Sequence, residues 1–145
     1  GATACFDIRA AGVTKAINVS NNIFSGCGGG TGIHYVSINA DNVIFANNTF
    51  SGTTTISGDI IRLVGTNTIT RINVSNNIID QMSVTGTGIK VTTGVSAFQV
   101  NNNIGFPIVV DVGPIDFQLI GNNCVGCGIT DNSGAVNKYV AGNLG

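Results

Sequence analysis

One short motif, written six times in a chain poor in helix formers, predicts an all-β solenoid: a parallel β-helix of about six coils. Three observations carry that prediction. Charged residues make up 9% of the 145, where an average globular domain has roughly 25%. All seven acids are Asp, Trp is absent, and Val, Ile, Thr, Asn and Gly dominate, a composition that suits strands and turns. The motif Val19-Ser20-Asn21-Asn22-Ile23 returns almost letter for letter at Val74-Ser75-Asn76-Asn77-Ile78. Looser copies place the key asparagine at Asn22, Asn48, Asn77, Asn103, Asn123 and Asn143, at spacings of 26, 29, 26, 20 and 20. Finally, each copy follows an alternating apolar stretch of period two, the mark of a strand with one buried face.

The elements follow in order. Cys5–Arg9 reads as a partial first coil. Ile17-Asn18-Val19, Val43-Ile44-Phe45, Ile72-Asn73-Val74 and Phe98-Gln99-Val100 are the strands that enter each Asn pair. Ile33–Tyr35, Ile61–Leu63, Ile89–Val91 and Ile108–Val110 are a second strand per coil, with Gly, Ser, Thr and Asn filling the gaps. A unit of two or three short strands cannot bury its own apolar face. Stacking each strand on its copy one coil along buries a continuous core, with rungs roughly 4.8 Å apart. The repeated Asn serves the corner: Asn tolerates the left-handed backbone conformation, and its amide can both donate to and accept from the copies above and below. Asn22, Asn48, Asn77, Asn103, Asn123 and Asn143 are therefore read as a structural ladder.

Composition excludes some roles. The net charge is −1 and no basic patch suits nucleic acid. No stretch reaches the roughly 18 apolar residues of a membrane-spanning helix, so no membrane insertion is expected.

The outward positions hold the candidate chemistry. If Ile33, Ile61 and Ile89 point inward, His34, Arg62 and Lys90 form one outward column, with Asp59 close to Arg62. Such a basic column holds an acidic saccharide or simply faces solvent. Asn18, Ile44, Asn73, Gln99 and Gln118 form a second column. Its amides suit sugar hydroxyls, solvent or a subunit interface. Glycoside hydrolysis needs two carboxyls at about 5 to 9.5 Å, and no pair stands out among the seven Asp residues. Cys124-Val-Gly-Cys127 has zinc-like spacing but no second pair. The four cysteines, Cys5, Cys27, Cys124 and Cys127, are read as free thiols, with a Cys5–Cys27 disulfide between neighbouring coils the open alternative and Cys124 a core residue in the place of Ile23 and Ile78. Free thiols fit folding in a reducing cytosol. The Gly28–Gly30 run lacks a strand-to-helix setting, so no phosphate loop is expected. No metal or cofactor is implied. Thr clusters near Thr53, Thr66 and Thr85 fall at unequal places on the coils, which ranks ice binding last.

The Asn-pair motif on coils of 20 to 29 residues resembles the right-handed parallel β-helices of the pectate-lyase-like superfamily, across residues 16–145. That superfamily includes polysaccharide-degrading enzymes and the shafts of bacteriophage tailspikes and tail fibres. The short Asp, His and Arg motifs of its pectinases are missing here. Low charge, absent Trp and compact coils look most like a tailspike segment. The resemblance implies a structural and adhesive role, a homotrimer, contact with host surface polysaccharide, and location in the virion or outside the cell. The alternative is a polysaccharide lyase or glycoside hydrolase with its site on the outer face or between subunits. The final Gly-Asn-Leu-Gly shows no cap, so residues 1–145 are expected to be one β-helix domain within a longer chain.

Overall fold

The computed structural model describes residues 4–9, 16–26, 34–52, 55, 57–65, 69–80, 84–124 and 126–145. Ile33, Cys27, Gly28–Gly30, Thr53 and Thr66 lie outside the described residues. Among the described residues there are fifteen strands and no helix. All strand pairs are parallel.

The strands stack in three sheets, as in a β-solenoid. The first holds β1 (Ala4–Arg9), β4 (His34–Asn39), β7 (Ile61–Leu63), β10 (Ile89–Val91), β12 (Ile108–Val110) and β14 (Ile129–Asp131), in that order. The second holds β2 (Ile17–Ser20), β5 (Val43–Ala46), β8 (Ile72–Ser75), β11 (Ser96–Asn101), β13 (Ile115–Ile120) and β15 (Lys138–Ala141). The third holds β3 (Ile23–Ser25), β6 (Thr49–Ser51) and β9 (Ile78–Asp80). Single bridges carry its line on through Ile104, Asn123 and Leu144.

Alternation decides what is buried. On the first sheet Val36, Ile61, Ile89 and Ile108 stack in register, as do Ile38, Leu63, Val91 and Val110, and all eight are fully buried. On the second, Phe45, Val74, Val100 and Leu119 do the same. Aromatic rings stack where phenylalanines repeat: Phe98 on Phe117 at 4.9 Å, and Phe24 on Phe50 at 5.1 Å. Like placed on like keeps every rung the same width, so the core is continuous along the stack.

The Asn pair divides its labour. The first member takes the left-handed conformation, with φ between 54° and 62° at Asn21, Asn47, Asn76 and Asn102, and Gly121 and Gly142 replace it in the last two coils. The second member turns inward. Each of Asn48, Asn77, Asn103 and Asn122 is at most 2% exposed. Asn77 Nδ2 donates to Asn103 Oδ1 at 3.0 Å and back to the Phe45 carbonyl at 3.1 Å, while the Asn77 backbone N–H also donates to Asn103 Oδ1. The same pattern runs from Asn48 to Asn77, from Asn103 to Asn122 and from Asn122 to Asn143.

Asn123 is thus a correction to the sequence reading. The amide in the column is Asn122, because Gly121 supplies the left-handed residue one place earlier than the Asn-Asn letters suggest. Asn123 falls in the outward line between Ile104 and Leu144. The same slip moves Cys124. It does not occupy the place of Ile23 and Ile78, which are 73% and 41% exposed, and it is itself buried.

The free-thiol reading is also overturned. Cys124 and Cys127 form a disulfide, their Cα atoms 5.4 Å apart, a normal span for such a bond. Gly126 adopts a left-handed φ of 78°, and Cys127 N–H donates to the Cys124 carbonyl, which folds the two sulfurs together. Cys5 is disulfide-bonded as well.

Candidate functional site

Two places on the outside of the stack bring polar side chains together. The first lies where β4 and β7 of the first sheet begin. Register there sets Ser37, not His34, beside Arg62, and Arg62 beside Lys90. The expected column of His34, Arg62 and Lys90 is therefore corrected: Ile61 pairs with Val36 rather than Ile33, a register shift of three residues, so His34 sits outside the Arg62 line. It still reaches Arg62 sideways. His34 Nε2 is 2.8 Å from Arg62 Nη1, and His34 Nδ1 is 3.1 Å from the Asp59 backbone nitrogen. The Asp59 carboxylate lies 3.5 Å from His34 Nδ1 and 3.8 Å from Arg62 Nη1.

This cluster is closed rather than open. Asp59 is 7% exposed and the His34 side chain 12%. Two N–H donors face the imidazole, whose neutral form has one lone-pair nitrogen to offer. Protonation would set a new N–H against one of them. Burial pushes the His34 pKa below 6.5, the Asp59 carboxylate opposes that, and Arg62 and Lys90 reinforce it. A neutral, hemmed-in imidazole ties two coils together. Lys90 is engaged too, 3.6 Å from Asp111. Among the described residues no three His, Cys, Asp or Glu side chains converge as a metal site would require.

The second place is the outer face of the second sheet. Asn18, Ile44, Asn73, Gln99, Gln118 and Tyr139 stand in register on six successive strands. The first five are those read from the sequence. Tyr139 was missed, though Lys138-Tyr139-Val140 fits the same frame as Phe98-Gln99-Val100. At the lower end the face is hollowed. Gln99, Gln118 and Tyr139, with Asp116, Asn137 and Lys138, line an open groove of about 420 Å³. Tyr139 is 58% exposed. Asp116 sits at the groove with a left-handed φ of 56°, as the second residue of β13. Lys138 Nζ is held by Asp131 Oδ2 at 2.5 Å.

No family model, curated protein or solved structure matches this chain.

Proposed function

We propose that the chain is a rigid structural and adhesive segment, a single-stranded right-handed parallel β-helix of about six coils with an Asn ladder, of the kind that forms phage tailspike or tail-fibre shafts. The hand follows the strong preference of parallel crossover connections. In this reading the rod works in the virion or outside the cell and touches host surface polysaccharide. The observation that carries it is the outer face of the second sheet: five amide or hydroxyl-bearing side chains in register with a single Ile among them, ending in an exposed tyrosine over a groove. The Cys124–Cys127 disulfide supports an oxidising setting.

A homotrimer belongs to the same proposal. Its support is the outward line of the third sheet, where Ile23, Ile78, Ile104 and Leu144 are each between 41% and 73% exposed. Light scattering should give three times the 14.7 kDa of one chain; a monomer at all concentrations would remove the trimer.

The second reading is a polysaccharide lyase or glycosidase. The His34–Asp59–Arg62 cluster is what favours it. One experiment separates the two: incubate the folded chain with bacterial surface polysaccharides and follow both retention and chain length. Retention with intact polymer supports the adhesive reading. Cleavage that disappears in Asp59→Asn supports the enzyme. Neither retention nor cleavage would sink both.

A further inference from the structure

We infer that the groove over Gln99, Gln118 and Tyr139 binds an uncharged polysaccharide lying along the stack, an inference that rests on the adhesive reading above and specifies its ligand.

Geometry comes first. The three side chains are directly opposite one another on β11, β13 and β15. Rungs of a parallel sheet repeat at roughly 4.8 Å, close to the advance of one pyranose along an extended glycan. Each rung can therefore meet one sugar in the same way. The side chains stand on strands rather than loops, so the row is fixed before a ligand arrives.

Chemistry sets the ligand class. Gln99 and Gln118 each carry a donor and an acceptor, as a sugar hydroxyl does. Tyr139 offers an apolar ring with a polar tip, a platform for the C–H face of a sugar. Asp116 adds a carboxylate that can accept from two neighbouring hydroxyls.

Charge excludes an acidic glycan. The cation at the groove, Lys138, is already bound by Asp131 at 2.5 Å. Asp116 has no cation within ion-pair distance among the described residues, so the groove presents uncompensated negative charge to an anion. On the first sheet, Arg62 and Lys90, the residues that the sequence offers for an acidic sugar, lie beside Asp59 and Asp111. An uncharged, hydroxyl-rich polymer is what remains.

The test is native affinity electrophoresis of the full chain in gels containing dextran, galactomannan or polygalacturonate. The expected result is retardation by a neutral polymer, unchanged in high salt because no ion pair is involved. Tyr139→Ala and Gln118→Ala should each weaken it, Tyr139→Ala by about tenfold or more. Both positions are exposed, so melting curves should match the parent. Neutral-polymer retardation that ignores both substitutions would overturn the groove. Retardation by polygalacturonate that survives Tyr139→Ala and is lost in Arg62→Ala would overturn the inference while leaving the adhesive reading intact. No retardation in any gel would count against both.

Discussion

Asn103 Oδ1 accepts two hydrogen bonds from one residue, Asn77, from its Nδ2 and from its backbone N–H, each at 3.0 Å. One oxygen thereby holds both the side chain and the main chain of the preceding coil. Asn77→Ala would leave Asn103 Oδ1 short and would strip Asn48 of its acceptor for two buried donors. At about 1 to 3 kcal/mol for each buried group left unmade, a loss of about 3 kcal/mol is expected in chemical denaturation. Asn77→Asp should be worse at neutral pH, because it sets an oxygen against the Phe45 carbonyl and Asn103 Oδ1. An unchanged midpoint in both variants would show that the amides contribute nothing.

Backbone proximity gives a pair of opposite predictions. A Cβ on Gly65 would lie 2.4 Å from the Gly94 carbonyl carbon and 2.5 Å from the Thr93 oxygen. These are main-chain atoms of the next coil, so relief means opening the stack. Gly65→Ala should lower stability by about 2 to 3 kcal/mol. Ala97, by contrast, is exposed and held at a φ of 49°, a conformation that costs an L-residue about 1 to 2 kcal/mol. Ala97→Gly relieves that and adds chain entropy to the unfolded state at about 0.5 to 1 kcal/mol. The expected net gain is about 0.5 kcal/mol, read as a small rise in melting temperature.

The His34 cluster should make stability depend on pH. Burial, with Arg62 and Lys90, holds the folded pKa below the ordinary 6.5 against the pull of Asp59. The unfolded chain therefore binds a proton before the folded one does. Stability is complete above pH 6.5 and declines as pH falls from there toward the folded value. His34→Asn keeps an acceptor for the Asp59 N–H but cannot titrate. Its stability should be flat between about pH 7 and pH 5, where the parent declines; parallel curves would rule out His34 as the source.

Asp131 is also held low, but by its hydrogen bonds and in spite of burial. Burial alone would raise its carboxyl. The bonds from Lys138 and from Ser133 Oγ and N–H outweigh burial and hold it below 3.8. Its stabilising effect is present above 3.8 and is lost as pH falls through the lowered folded value. Asp131→Asn should cost about 1 to 3 kcal/mol at pH 7, and the gap to the parent should close in strong acid. The same variant frees Lys138 beside the groove, so it should also admit acidic glycans that the parent rejects.

The strands and their stacking were legible because alternation and repetition are local signals. Ile17-Asn18-Val19 and Ile72-Asn73-Val74 carry their own inside and outside. The outward column from Asn18 to Gln118 could be read for the same reason. The slip at Asn122 could not be read from matching letters. It depends on which residue is left-handed, and glycine in Gly121 and Gly142 hides the correspondence unless conformation is aligned instead of identity. His34 was displaced because a strand's starting point is set by its neighbours. The Cys124–Cys127 bond depends on a turn at Gly126 that spacing alone does not specify.

The steps between successive column asparagines are 26, 29, 26, 19 and 21 residues, yet every step ends in the same pair of bonds to one amide oxygen. Length is thus free where the chain leaves the sheets and forbidden where it turns the Asn corner. Insertions and deletions can accumulate in the outer loops without any change in the axis they hang from. Such a chain can diverge in what it displays to its surroundings while its frame stays constant.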